Sequence, residues 1–180
     1  MQSTCSYVAV KDGVWLCQLS GDGVVVAQYT DGTIIMTRTQ WDKNLPYYPI
    51  YKGDILEEFK IIHGNSETPF VWDTWIYDPE AGTEKTLMET AGLDINNAIE
   101  GGYRFLLNYD DKIESIAIFT DGIDQVEGMD WKDVVVNLMS FKSTKGSFLK
   151  RRMISELKKL EKAGHKNVDD IAGAVVRYER

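Results

Sequence analysis

The chain has 180 residues, of which 43% are hydrophobic and 11% aromatic, so it is long and apolar enough to bury a core and is not expected to be disordered. The formal net charge of −8 disfavours nucleic acid as a partner, because an acidic surface repels phosphate backbones. Two cysteines, Cys5 and Cys17, are too few for a disulfide framework, and we expect them to be reduced. With neither a leader nor an apolar run of membrane-spanning length in the sequence, we expect a cytoplasmic protein with no membrane partner.

The first forty residues predict an antiparallel meander. Its strands are expected at residues 7–10, 14–19, 24–27 and 33–37. The pairs Asp12-Gly13 and Asp31-Gly32 stand between β-branched and apolar runs, which is the sequence signal for a hairpin turn. Gly21-Asp22-Gly23 interrupts the apolar pattern between the second and third strands.

The middle of the chain, from residue 40 to about residue 111, has a less regular pattern. Prolines interrupt it, residues 72–77 predict a further strand, and residues 82–102 contain one weak helical stretch. We expect short strands and an irregular excursion in this part of the chain.

The last seventy residues predict a strand, two helices and a returning strand. The strand 113–119 ends in Thr120-Asp121-Gly122, Asp130 is positioned to cap the first helix, and the second begins near Ser147 and stops at Gly164. The final strand is expected over 171–178. Because the sequence has no internal repeat or low-complexity linker, residues 1–180 predict a single α+β domain with mainly antiparallel pairing.

Acidic residues stand at three predicted strand ends, namely Asp22, Asp121 and the pair Asp169-Asp170. If those strand ends converge, the short carboxylates form a cluster of hard oxygen ligands suited to Mg²⁺ or Mn²⁺. A metal-held water with a lowered pKa can attack a phosphoryl group. Asp-Gly at a strand end is also ordinary turn chemistry, so spacing alone leaves both interpretations open.

Three motifs resemble those of the PP2C-type metal-dependent protein serine/threonine phosphatases. Phe119-Thr120-Asp121-Gly122 resembles their strand-end Asp-Gly motif, and residues 167–172 resemble their closing Asp-Asn/Asp-Ile/Val-Thr motif. Gly21-Asp22-Gly23 resembles their Gly-Asp-Ser motif. The three occur in the family's order, with two predicted helices between the second and the third.

The resemblance implies a sandwich of two mainly antiparallel β-sheets flanked by α-helices. It also implies hydrolysis of phosphoserine and phosphothreonine in proteins by a metal-bridged water, with two or more Mn²⁺ or Mg²⁺ ions in the complete site. Asp121 and Asp169 would be ligands of the metal pair, and Asp22 would help to hold an additional metal. The metal-site residues implied in this way are Asp121, Asp169, Asp22, Gly122 and Asp170. A phosphorylated protein or a kinase would be the partner.

The chain also departs from the family pattern. The family uses a further Asp-Gly motif near its N-terminus, and Asp12-Gly13 and Asp31-Gly32 are hairpin turns in the wrong place to replace it. Gly23 stands where the family has Ser, and Ala172 where it commonly has Thr. The resemblance therefore implies a phosphatase domain without its N-terminal part, weakly active or inactive alone. Its open sheet edges would be covered by a completing chain or by self-association in a homo-oligomer.

Two other interpretations remain open. The chain is alternatively a catalytically weak or inactive PP2C-like binding or regulatory module that is completed by, or docks onto, a partner chain. It is otherwise an unrelated α+β domain whose Asp-Gly pairs are only turns. The second predicted helix also carries a basic face. We expect that face to be solvated and paired with Glu156 and Glu161, with a docking surface for an acidic or phosphorylated partner as the less favoured interpretation.

Overall fold

The computed structural model describes residues 5–11, 14–41, 57–58, 61, 70–81, 83–91, 103–108 and 112–178. The strands are β1 Cys5–Lys11, β2 Val14–Ser20, β3 Gly23–Tyr29, β4 Ile34–Trp41, β5 Phe70–Asp78, β6 Thr83–Ala91, β7 Tyr103–Asn108, β8 Ile113–Thr120 and β9 Gly173–Arg177. The helices are α1 Trp131–Met139 and α2 Phe148–Lys162, and a short 3-10 turn covers Asp121–Asp124.

The strands form two antiparallel sheets. The smaller sheet has the order β1-β2-β7, and the larger has the order β6-β5-β4-β3-β8-β9. Every pairing between these strands is antiparallel. The predicted α+β class with mainly antiparallel pairing is therefore confirmed.

The predicted meander of the first forty residues is only partly right. Strand β1 pairs with β2, and β3 pairs with β4, as the hairpin signals predict. Strands β2 and β3 lie in different sheets, so the predicted neighbour relation between them is wrong. The physical reason is that β3 is hydrogen-bonded on both sides, by β4 and by β8. The connection through Gly21 and Asp22 therefore carries the chain from one sheet to the other.

The central strands β3 and β8 are buried on both faces. The face toward the smaller sheet contributes Val25, Ala27, Ile113, Ile116 and Ile118, which pack with Trp15, Cys17 and Leu19 of β2. The opposite face contributes Val24, Val26, Ala117 and Phe119, which pack with the apolar side of α1. Burial on both faces explains why these strands are almost uninterrupted apolar runs. The order of layers is small sheet, large sheet and helices.

The first helix begins, and the second begins and ends, where the sequence predicts. Asp130 caps α1 by accepting a hydrogen bond from the backbone N–H of Lys132 at 3.0 Å. Helix α1 buries Val134, Val135 and Leu138 against the large sheet. Helix α2 follows Ser147 and stops before Gly164, whose φ of 89° is the left-handed conformation typical of a helix end.

Residues 83–91 form the strand β6, within the part of the chain where short strands are expected. This strand pairs with β5 along its whole length, from Thr83 opposite Asp78 to Ala91 opposite Phe70. The strand predicted at 72–77 is confirmed within β5. Residues 92–102 and the predicted Asp12-Gly13 turn lie outside the described residues.

Cys5 and Cys17 are not opposite each other on the paired strands. Cys5 lies opposite Ser20, and Cys17 lies opposite Val8. Cys17 is a free thiol, and burial raises its pKa to about 12, which makes it unreactive. Among the described helices, none combines the length and the apolar character needed to cross a membrane.

Candidate functional site

The strand register brings the predicted acidic turns to one end of the large sheet. Strands β3 and β8 pair so that Gly23 lies opposite Thr120. Asp22 immediately precedes Gly23, and Asp121 immediately follows Thr120, so the two acidic residues flank the same strand ends. Strand β9 begins at this end too, with Gly173 opposite Phe119. The loop containing Asp169 therefore approaches the same place.

A cavity of about 300 Å³ opens at this end of the sheet. It is lined by Asp22, Gly23, Val24, Arg38, Thr39, Asp121, Asp124 and Gln125. Three carboxylates and one guanidinium group therefore face a common space, which we call the acidic cavity. Asp22 and Asp121 were predicted as site residues, while Arg38, Thr39, Asp124 and Gln125 were not.

Asp22 is the most strongly perturbed carboxyl of the acidic cavity. The residue is only 8% exposed, and its Oδ1 atom is buried without a hydrogen-bond partner among the described atoms. Burial, together with the negative charges of Asp121 and Asp124, raises the pKa of Asp22 to about 7. An unsatisfied carboxylate oxygen beside two like charges is a place that favours a bound cation or a proton.

Asp121 begins the 3-10 turn. It lies between the acidic cavity and the loop before β9 that contains Asp169 and Asp170, which we call the closing loop. Burial is the largest cause that raises the pKa of Asp121, and the negative charge of Asp169 raises it further. Hydrogen bonds from the backbone N–H groups of Asp121 and Gly122 partly oppose this increase. Asp121 is thus close enough to both Asp22 and Asp169 to interact electrostatically with each.

The loop before β9 is held against the end of β8 by Thr120. Its Oγ1 atom accepts from the backbone N–H of Ala172 at 2.9 Å and donates to the carbonyl of Asp170 at 3.2 Å. The side chain of Asp169 accepts from the backbone N–H of Asp170 at 2.7 Å and from the amide of Gln125 at 3.4 Å. Ala172 takes part in this contact through its backbone.

Gly122 lets the closing loop approach the 3-10 turn. A Cβ atom at Gly122 would lie 2.7 Å from the carbonyl carbon of Asp170 and 3.1 Å from the carbonyl oxygen of Asp169. Any residue other than glycine at position 23 would place its Cβ atom 2.8 Å from the carbonyl oxygen of Phe119. Both glycines are therefore required by close backbone packing.

Arg38 is the cationic residue lining the acidic cavity, and the sequence patterns did not indicate it. It lies on β4 opposite Val24, and its Nη1 atom donates to Oδ2 of Asp124 at 2.7 Å. Its guanidinium carbon lies 5.2 Å from the centre of the Trp131 ring. The pairing of β4 with β3 was the available signal, because it places Arg38 near the start of β3 once the register is known.

The predicted metal-site residues come together only in part. Asp22 and Asp121 line the acidic cavity, and Asp121 interacts with Asp169, whereas Asp170 is exposed and contributes its backbone to the loop contacts. Within the part of the chain that the structure describes, no three His, Cys, Asp or Glu side chains are arranged to hold a metal ion. The unsatisfied Asp22 oxygen nevertheless fits a hydrated divalent cation, since Mg²⁺ commonly uses one or two carboxylates and keeps several waters.

Comparisons of the chain with models of known protein families, with curated protein sequences and with solved structures found no match.

Proposed function

We propose that the acidic cavity binds hydrated Mn²⁺ or Mg²⁺ and that the chain is a PP2C-like phosphatase module acting on phosphoserine or phosphothreonine in proteins. The observation that carries this proposal is the buried Oδ1 atom of Asp22, which has no hydrogen-bond partner among the described atoms and lies beside Asp121 and Asp124. Like charges held together in a buried place are stabilised most by a counter-charge. A divalent cation supplies that charge.

Asp22 and Asp121 would hold the cation, with Asp169 in reach through its interaction with Asp121. A bound cation would polarise a phosphoryl oxygen and lower the pKa of a coordinated water. Asp124 would hold Arg38 instead of the cation, because its carboxylate forms an ion pair with Arg38 at 2.7 Å. The protein's contribution is a fixed set of acidic oxygens at the rigid end of a sheet that is buried on both faces.

The presence of Arg38 in the acidic cavity favours an anionic substrate. It is the one cationic side chain among the described residues that line the acidic cavity. Its guanidinium group is held by Asp124 and by the face of Trp131, so it is already ordered before a ligand enters. An ordered guanidinium group is well suited to bind phosphate oxygens in a two-pronged contact. Arg38 would therefore orient the phosphoryl group of the substrate.

The order of the three acidic motifs along the chain also supports this function, as does their resemblance to PP2C motifs. A cytoplasmic location belongs to the same proposal, and the free, buried Cys17 is compatible with a reducing compartment. The macromolecular partner would be a phosphorylated protein or a kinase.

Phosphate release from an aryl phosphate and from phosphoserine peptides, with and without Mn²⁺, tests the proposal. We expect Mn²⁺-dependent turnover that Asp121→Asn lowers by about a hundredfold, since a metal ligand is lost. Asp133→Asn is the matched control, because Asp133 is exposed on α1 and lies outside the acidic cavity. Absence of Mn²⁺-dependent turnover in the wild-type protein would reject catalysis by this chain.

Cation binding is measured separately from turnover. Saturating Mn²⁺ at about a hundred times its dissociation constant should raise the free energy of unfolding by about 2.7 kcal/mol. Asp22→Asn should abolish most of this increase, because it removes the buried carboxylate. Calorimetric binding weaker than about 1 mM would count against the cation site itself.

A binding or regulatory module is the second candidate function. It is favoured by the outer strands β1 and β9, each of which pairs with a single neighbour among the described strands. Tyr7 and Val10 of β1 and Val176 of β9 are exposed apolar side chains, with Val10 46% exposed. Such edges are suited to pairing with a completing chain or with a second copy of this chain. Sedimentation of the purified protein as a monomer at high concentration would argue against self-association.

A further inference from the structure

A second cavity, of about 220 Å³, opens between the end of α1 and helix α2. It is lined by Phe141, Lys142, Ser143, Phe148, Arg151, Arg152, Ser155 and Lys159. Four of these eight residues are cationic, and we call this space the basic cavity. It shares no lining residue with the acidic cavity.

The charge of the basic cavity is opposite in sign to the net charge of the protein. The whole chain has a net charge of −8, yet none of the residues lining this cavity is acidic. The neighbouring carboxylate is that of Glu156, a residue only 5% exposed, which accepts from Arg152 at 3.1 Å and from Lys159 at 2.6 Å. One buried negative charge thus balances a fraction of four positive charges, and the cavity keeps a positive surplus.

Both guanidinium groups that line the basic cavity, those of Arg151 and Arg152, are hydrogen-bonded to backbone carbonyls. The Nε atom of Arg152 donates to the carbonyl of Asn137 at 2.6 Å, and Nη2 of Arg151 donates to the carbonyl of Lys145 at 2.6 Å. Because these contacts order the side chains before any ligand arrives, less conformational entropy is lost on binding. The surplus positive charge therefore has a defined position.

The basic cavity also has an apolar part. Phe141 and Phe148 pack edge to face with their ring centres 4.9 Å apart, and both line the cavity. An aromatic pair beside ordered cations is suited to an apolar side chain with carboxylates on either side of it. A solvated basic face needs no such cavity. Other lysines of α2 have that ordinary arrangement, since Lys150 and Lys158 are exposed and do not line the space.

We propose that the basic cavity docks an acidic peptide segment of a partner protein. An apolar side chain of the segment would rest on Phe141 and Phe148, and its carboxylates would face Lys142 and Arg151. Charge complementarity selects this occupant, and the overall charge of −8 disfavours a nucleic acid at the same place. The proposal concerns binding alone and stands whether or not the acidic cavity is catalytic.

Fluorescence anisotropy with the full chain tests the proposal. The probe is a short labelled peptide in which glutamates flank a single leucine. Lys142→Glu with Arg151→Glu should weaken binding about tenfold or more, because two contacting charges are reversed. The control pair Lys150→Glu with Lys158→Glu makes the same change in net charge outside the cavity and should weaken binding less than about threefold.

The peptide is varied in the same experiment. Replacing its leucine by serine should weaken binding about fivefold or more, because the aromatic pair loses its apolar contact. Equal losses in the two charge-reversal pairs would overturn the proposal in favour of diffuse attraction. An unchanged affinity for the serine peptide would overturn it in favour of a simple anion site. Binding weaker than about 1 mM to the wild-type protein would also overturn it.

A second copy of this acidic chain is the competing occupant, and sedimentation separates the two. We expect the wild-type protein and the Lys142→Glu, Arg151→Glu variant to sediment alike. If the wild-type protein self-associates and this variant alone does not, the cavity is an interface between copies and the peptide proposal is overturned.

Discussion

The acidic and basic cavities show two ways in which a fold holds charge. In the acidic cavity, like charges crowd together, and Asp22 keeps an oxygen atom buried without a partner among the described atoms. In the basic cavity, Arg152 contacts both a backbone carbonyl and Glu156, and Arg151 contacts the backbone. The first arrangement is electrostatically incomplete without a cation or a proton. The second is internally satisfied and merely keeps a surplus of charge.

This difference separates what each cavity contributes to stability from what it contributes to binding. A buried carboxyl whose pKa is raised destabilises the fold at the pH where it is ionised. Exposed lysine and arginine side chains cost the fold little, because water solvates them. The acidic cavity should therefore affect unfolding strongly, whereas the exposed cations Lys142 and Arg151 of the basic cavity should affect partner affinity and leave unfolding nearly unchanged.

The largest effect is expected at Gly122, where backbone packing positions the acidic turn. Gly122→Ala should lower the free energy of unfolding by about 3 kcal/mol, because its Cβ atom would collide with the carbonyl group of Asp170. Gly164→Ala is the matched control, since it has a positive φ of 89° but open space around its Cβ position. We expect the control to cost about 1 kcal/mol. Urea unfolding measures both, and a smaller loss for Gly122→Ala than for Gly164→Ala would contradict the packing argument.

Two of the three carboxylates of the acidic cavity, those of Asp22 and Asp121, followed from local sequence. The strand before Asp121 is an apolar run that ends at an Asp-Gly pair, and Asp22 stands in a glycine-flanked break between two apolar runs. Both signals are local, and both residues lie at the cavity. That Asp22 and Asp121 lie at the same end of the sheet was not predictable from local signals, because β3 pairs with β8 across about ninety residues of chain.

The wrong neighbour relation between β2 and β3 has the same origin. A short turn between two apolar strands favours a hairpin, but β3 lies in the larger sheet, between its hairpin partner β4 and the distant strand β8. Arg38 became part of the acidic cavity only through the register of β4 against β3. The long-range pairing of β3 with β8 therefore accounts for the change of sheet that local sequence did not indicate.

A smaller effect is expected from the charge of Asp22. Its folded pKa of about 7 lies above the ordinary value, so the folded protein holds this proton more tightly than the unfolded chain does. Stability is then fully present below about pH 4 and falls as pH rises toward about 7. Asp22→Asn removes this loss, so without divalent cations it should be more stable than wild type by about 1–3 kcal/mol near pH 8.

The comparison of Asp22→Asn with wild type is made by urea unfolding in a chelator at two pH values. The gain should shrink toward zero below about pH 4, where wild-type Asp22 becomes protonated in both the folded and the unfolded state. Asp31→Asn is the control, because Asp31 is an exposed turn residue whose pKa is lowered by its hydrogen bonds with Thr33. A variant at Asp22 that is less stable than wild type near about pH 8 would show that the carboxylate is satisfied, against the description of the acidic cavity as incomplete.

The smallest effect is expected when charge is reversed in the basic cavity. Lys142 and Arg151 are exposed, so Lys142→Glu with Arg151→Glu should change the free energy of unfolding by less than about 1 kcal/mol, the lost contact of Arg151 with the Lys145 carbonyl included. Thermal and urea unfolding measure this change. A loss of several kcal/mol would mean that these cations hold the two helices together. The contrast between the cavities would then fail, because both would be structural and neither would keep its charge in reserve for a partner.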